Sequence, residues 1–154
     1  MQLWLLAASI SLGLAQHARG QMVKVTLPDA CKPLMDAARD GNAAGVDRAL
    51  KAGADPNCRM EPGKTTALMI AVTNGPLAAV NPLLKRKANP NAQDIAGATA
   101  LMFAAQLGKV DVVKALLSRG ARTHIKANNG ATALQLAEDA GHANVVAVIS
   151  KAKK

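Results

Sequence analysis

Apolar residues along this chain come in short bursts at helical spacing, and the bursts return with a fixed period. Aligned on one leucine, they fall at Leu34, Leu68, Leu101 and Leu134, in steps of 34, 33 and 33. A glycine seven places on keeps the same steps: Gly41, Gly75, Gly108 and Gly141. Eight and nine residues past the first three glycines, and seven and eight past the fourth, comes an apolar pair or its remnant: Ala49-Leu50, Leu83-Leu84, Leu116-Leu117 and Val148-Ile149. Gly53-Ala54 and Gly120-Ala121 follow by four. Registers moving together over about 120 residues define an internal repeat, which has to be read before any fold.

The third unit shows the physics of one repeat. Thr99 is placed to cap a helix by accepting from a free backbone N–H. Leu101, Ala104 and Ala105 form an apolar face at helical spacing. Gly108 stops that helix, because glycine enters the left-handed region at little cost. Val110, Val112, Val113, Leu116 and Leu117 give a second apolar helix, decorated by Arg119 and closed by Gly120. Polar turn residues such as Asp94 and Asn128 carry the chain from one unit to the next. One such helix pair cannot bury its own apolar faces. Stacked pairs can once there are about three or more, and this chain has four.

Composition agrees with helix-on-helix packing. Half of the 154 residues are hydrophobic, yet the chain has one Trp, one Phe and no Tyr. The core is therefore built from Ala, Leu, Val, Ile and Met, whose size suits close helix contacts. The formal net charge is +9. Excess base points to solubility, or to an acidic protein, an anionic surface or nucleic acid as partner. Many cations fall where helices end, at Lys51, Lys85-Arg86-Lys87, Arg119 and Lys151, where they favour the negative pole of the helix dipole. Nucleic acid is disfavoured as a partner, because the aromatic stacking groups of a single-strand binder are missing.

The amino terminus, MQLWLLAASISLGLAQHARGQ, carries an apolar run over residues 3–14. A bilayer span needs about 20 residues, whereas a secretory h-region takes about 7–15. Small residues allow cleavage after Ala15, Ala18 or Gly20, although no Lys or Arg precedes the run. The expectation is a signal peptide over residues 1–20 and export to a periplasm or the medium, where disulfides persist. No membrane span would remain after cleavage. The alanine-rich composition leans bacterial.

With the units in phase, the pattern resembles the ankyrin repeat. That family's unit is a finger-like turn and two antiparallel helices, with a pattern of Gly-x-Thr-Pro-Leu-His-x-Ala-Ala, then Gly-His, Val-Val-x-x-Leu-Leu and Gly-Ala-Asp-x-Asn. Residues 97–121 here read GATALMFAAQLGKVDVVKALLSRGA, residues 53–57 read GADPN and residues 88–92 read ANPNA. The resemblance implies an all-α solenoid over residues 30–151, in units of about 30–58, 59–92, 93–125 and 126–151. A short extension at 21–29 precedes it and a basic tail at 152–154 follows.

Departures from the family pattern carry information. Its Pro becomes Ala67, Ala100 and Ala133 and survives at Pro33; its His becomes Met35, Met69, Met102 and Gln135. Hydrogen bonding between units through that His is lost, and thioether packing is expected in its place. The second unit has one extra finger residue, GKTTAL against GATAL. Its second helix contains Pro82, which removes one N–H and should kink it. Lys87 replaces the closing glycine where φ > 0 is expected. The second unit should be the least regular and least stable.

The chain offers little catalytic chemistry. By the resemblance His142 starts a second helix and is structural, and His124 takes the finger-base Asn position; neither has a second ligand at zinc-like spacing. His17 falls in the leader. Ser118 and Ser150 have no paired base. The carboxylates are scattered, and the one adjacent pair, Glu138-Asp139, cannot converge on a helix. No enzyme activity, metal or cofactor is expected. Cys31 and Cys58 are the two cysteines. In an exported protein an even count suggests a disulfide. By the resemblance Cys31 lies just before the first helix of unit one and Cys58 at the second finger's base, so a bridge would pin neighbouring units. The alternative is that Cys58 is a small buried residue in place of alanine.

Repeat stacks offer a concave binding surface, which the resemblance places on finger tips and first helices. The candidates are Arg39 and Asp40 in unit one; Met60, Glu61, Lys64, Thr73 and Asn74 in unit two; Ile95, Ala96, Ala98, Gln106 and Leu107 in unit three; and Asn128, Asn129, Ala131 and Asp139 in unit four. Asn128-Asn129-Gly130 also reads as a good turn. Ile95 and Leu107 are apolar where the scaffold has no need of it, the mark of a contact surface. The expected function is a monomeric, non-enzymatic, exported module that binds another protein, as a chaperone, inhibitor, immunity protein or stress factor. The alternatives are a secreted effector engaging a host protein, or a basic surface binder of an anionic ligand.

Overall fold

The computed structural model describes residues 31–152. The expected leader, the extension at 21–29 and the last residues of the tail lie outside them. The described chain alternates inner and outer helices. Unit one has α1 (Cys31–Arg39) and α2 (Ala43–Lys51); a small ladder, β1 (Arg59–Met60) with β2 (Thr65–Thr66), leads into α3 (Ala67–Asn74) and α4 (Leu77–Lys85). Units three and four supply α5 (Ala100–Gln106) with α6 (Val110–Ser118), and α7 (Ala133–Asp139) with α8 (Ala143–Ala152). Each inner helix packs on its own outer helix and on the inner helices of its neighbours, and outer helices pack likewise on outer ones. The result is a two-layer helical stack of four units.

The helix ends follow the sequence closely. Thr66, Thr99 and Thr132 cap α3, α5 and α7, each hydroxyl accepting from the N–H three residues on, at 3.2–3.4 Å. Asn42 caps α2 by accepting from the Gly45 N–H at 2.9 Å. Gly41, Gly108 and Gly141 stop their helices at positive φ. Gly75 differs: it is extended, with φ −106° and ψ 165°. Pro76 follows it, and a residue before proline is pushed towards extended ψ. Glycine is still required there, because a Cβ would stand 2.9 Å from the Ala71 carbonyl oxygen and 3.2 Å from the Gly41 Cα.

The core is the seam between the layers. Leu34, Leu68 and Leu101 are buried in the inner helices, and Val46, Val80 and Val113 in the outer ones. Leu134, the fourth in register, is half-buried, since α7 has an inner neighbour on one side only among the described residues. Unit two is irregular as expected. Among the described residues it alone has a strand ladder. The helix α4, however, continues unbroken through Pro82. Lys87 holds φ 62°. A non-glycine residue there costs about 1 kcal/mol. Unit two is also the most deeply covered, with all six residues from Ala67 to Val72 buried.

Met35, Met69 and Met102 are buried as the sequence implies. Met69 does more than fill space. Its Sδ accepts from the Thr66 N–H at 3.5 Å, which completes a capping box with a thioether. Gln135 does the same in unit four, its Oε1 accepting from the Thr132 N–H at 3.0 Å.

Candidate protein-binding face

The fingers are held by their own turn residues. Asp94 Oδ1 accepts from the Ala96 and Ala98 N–H groups at 2.9 and 2.8 Å. Asn129 Oδ1 accepts from the Ala131 N–H at 3.1 Å. In the second finger the extra residue is taken up by the ladder, in which Met60 pairs with Thr65 and Arg59 with Thr66, and by Lys64 at φ 55°. The tips are then tied in a row. The Ile95 N–H donates to Gly63 O at 2.9 Å, and the Asn128 N–H to Ala96 O at 2.9 Å. The Asn128 side chain donates to Ile95 O at 3.0 Å. Asn128 is thus a turn residue and a link, and the fingertip backbone is fixed before any partner arrives.

Two grooves lie between fingers and inner helices. The first unites Arg39, Met60, Thr73 and Asn74, with Thr65, Met69, Ile70 and Phe103 completing its wall. The second unites Ala96, Ala98, Asn128, Asn129 and Ala131 with Met102, Ala127 and Leu136. In the first, Arg39 is positioned by Asp36 at 3.1 Å and donates to the Met60 Sδ at 3.7 Å. Asp40, Glu61, Lys64, Gln106 and Asp139 are exposed but line neither groove. Ile95 and Leu107 are also outside them, 65% and 46% exposed, and with Met60 at 36% they are the exposed large hydrophobic residues of the described chain.

Reasoning from sequence missed the groove walls. Ile70, Phe103 and Leu136 recur at 33-residue steps. They read as scaffold, yet Phe103 and Leu136 are half-buried and line the grooves. It also missed what replaces the lost bonds between units. The Lys109 ammonium donates to the carbonyls of Val72, Thr73 and Gly75 at 2.6, 3.1 and 3.0 Å. It thereby caps the C-terminal end of α3 from the next unit, where a cation suits the helix dipole. Burial pulls its pKa below the usual lysine value. His142, one unit later, lies with Nε2 3.0 Å from Gln106 O, the same place on α5. Both follow a unit's glycine, which was the available signal. At the finger bases Asn57 Oδ1 accepts from the Asn89 N–H at 2.7 Å, and Asn91 Oδ1 from the Arg122 N–H at 2.7 Å.

The structure joins Cys31 and Cys58 in a disulfide, with Cα atoms 5.8 Å apart. Cys31 is the first residue of α1 rather than the residue before it. The bridge therefore ties the start of unit one to the base of the second finger. Among the described residues no three His, Cys, Asp or Glu side chains gather as metal ligands, and no helix is long and apolar enough to cross a membrane.

Two overlapping segments, residues 5–94 and 68–154, match the family model described as ankyrin repeats (3 copies). No curated protein matches the chain. The match spans nearly all of the sequence, and the stacked helix pairs with linked fingers are the architecture its motifs imply. The chain belongs to the ankyrin-repeat family.

Proposed function

We propose that the protein is a non-enzymatic, exported binding module that holds a partner protein against its fingers and inner helices. Ankyrin repeats are in general protein-interaction modules. The observation that carries the reading is a finger row already fixed by hydrogen bonds that presents two grooves, one of them lined by Met60, with Ile95 and Leu107 exposed and apolar outside them. A rigid apolar surface binds without an ordering cost at the moment of contact. Aliphatic and thioether groups there suit the apolar side chains of a folded partner.

The test is capture of the partner from the cells that make the protein, its identification by mass, and an affinity measured with purified components. Ile95→Asp with Leu107→Asp is expected to weaken that affinity by about 30-fold or more, in line with loss of central contact residues. Far-ultraviolet circular dichroism should be unchanged, since both side chains face solvent. Full affinity in the double variant refutes the proposed face. Export has its own readout. The chain isolated from its source should begin at Gln16, Arg19 or Gln21, and an intact Met1 would sink the export reading. Recovery from the medium rather than the envelope would favour an effector role.

A further inference from the structure

Charge is distributed unequally between the two layers. The outer helices and the loops that follow them, residues 43–57, 76–91, 109–124 and 142–152, carry ten Lys or Arg against three Asp, a net of +7. The rest of the described chain, inner helices and fingers, carries five against six, a net of −1. Helix-dipole compensation explains a cation at one helix end, but not a threefold excess of cations over acids across a whole layer.

Packing gathers most of these cations along one edge, Lys109, which holds the C-terminal end of α3, excepted. The outer helices stack in register, so the ends of α2, α4, α6 and α8 are neighbours. The following loops are neighbours too, because Asn57 reaches the Asn89 N–H and Asn91 reaches both the Arg122 N–H and Gly120 O, the last at 2.9 Å. Asp47 reports the crowding. Its hydrogen bond from Lys51 chiefly holds its carboxyl below the usual range, and Arg86 and Lys85 of the next unit add to that. Lys51 is paired with Asp47, but Lys85, Arg86, Lys87, Arg119 and Arg122 are exposed and make no ion pair among the described residues.

From this edge we infer a docking surface for an anionic lipid bilayer. The cations are long, exposed and unheld by neighbours, so they supply a diffuse field rather than a shaped pocket. That fits a fluid array of phosphate headgroups, to which each cation contributes independently. The one described aromatic, Phe103, is on the inner helices, so the edge has no stacking platform for single-stranded nucleic acid. The arrangement also has a geometric consequence. Lys85, Arg86, Lys87, Arg119 and Arg122 line neither of the two grooves, so this inference and the protein-binding reading stand or fall separately.

The experiment is sedimentation of the full chain with vesicles of phosphatidylcholine alone or with about one third phosphatidylglycerol, at low and at high salt. Binding should require phosphatidylglycerol and collapse as salt rises. Arg86→Glu, Arg119→Glu and Arg122→Glu together should weaken it by about 100-fold. Lys32→Glu, Arg59→Glu and Lys126→Glu reverse as much charge away from the edge and should change it by no more than about threefold. Circular dichroism confirms the fold of both variants; if the edge variant is unfolded, the three glutamine replacements serve instead, with a smaller loss in the same order. Equal loss in the two variants overturns the inference, since net charge alone would then explain adsorption. So does binding that ignores phosphatidylglycerol, or binding to a DNA duplex with none to vesicles.

Discussion

Leu101→Ala is expected to lower the unfolding free energy by about 3–4 kcal/mol, the usual cost of emptying a fully buried leucine site. Leu101 is 1% exposed, in the middle of an inner helix whose neighbours on both sides are inner helices. Part of the loss is transfer of its removed atoms from water. The rest is the cavity, which α3 and α7 can close only by moving against their own outer partners. Repeat stacks divide their stability into unit terms and nearest-neighbour terms. A defect in α5 weakens two interfaces at once, so cooperativity should fall with stability. Unit four should melt ahead of units one and two. Leu134→Ala removes the same atoms at the same register from a half-buried site in the last unit, and should cost about 1–2 kcal/mol. Urea denaturation followed by far-ultraviolet circular dichroism measures both. A Leu101→Ala loss below about 1 kcal/mol, or one equal to that of Leu134→Ala, would contradict this stacking order.

That order was legible because each structural need repeats. Thr99 caps, Leu101 faces the core and Gly108 stops the helix; the same three needs reappear 33 residues later at Thr132, Leu134 and Gly141. Any one could arise by chance, but their shared period could not. Gly75 departs from the repeat. It occupies the stop position in sequence and adopts a different conformation, because the next residue, Pro76, outweighs the repeat. Lys109 departs from it in another way. As a letter it is a departure from a family histidine. Only the fold reveals that its ammonium reaches the end of the preceding inner helix, as the His142 ring does one unit on.

The binding face was legible in part for a related reason. Exposed fingertip and inner-helix positions follow from register, which located Met60, Ile95 and Leu107. Groove walls do not, because Ile70, Phe103 and Leu136 obey the core period and differ from core residues only in how far the next finger covers them. Finger coverage depends on hydrogen bonds such as the Asn128 amide to Ile95 O, a contact between residues 33 apart. The charge asymmetry was hidden in the same way. A net charge of +9 is a property of the whole chain, whereas the segregation of cations to one layer exists only once helices are assigned to layers.

Reduction of the Cys31–Cys58 bridge should destabilise unit one by about 3–4 kcal/mol, the loop-closure entropy of a closed segment spanning a sequence separation of 27. The effect should be local. Unit one is the end of the described stack, and α1 meets an inner neighbour, α3, on one side only. With the bridge open, unit one relies on that interface and on its contacts with α2. Heating the reduced protein should therefore give an early loss of about a quarter of the helical signal, followed by a main transition from units two to four, in place of one transition in the oxidised protein. Arg39 comes from α1, so the first groove should lose a wall in that early step, and partner affinity should fall before the bulk of the fold does. Thiol titration fixes the starting state, with no free thiol before reduction and two after. Cys31→Ser with Cys58→Ser should reproduce the reduced melt without reductant. The rival reading makes Cys58, 4% exposed, a small residue in place of an alanine. On that reading Cys58→Ala leaves the melt unchanged, reductant has no effect, and two thiols are found at the outset. The two readings differ in one respect: whether unit one is held to the stack by packing alone, or by packing on a chain whose unfolded freedom a covalent bond has already reduced.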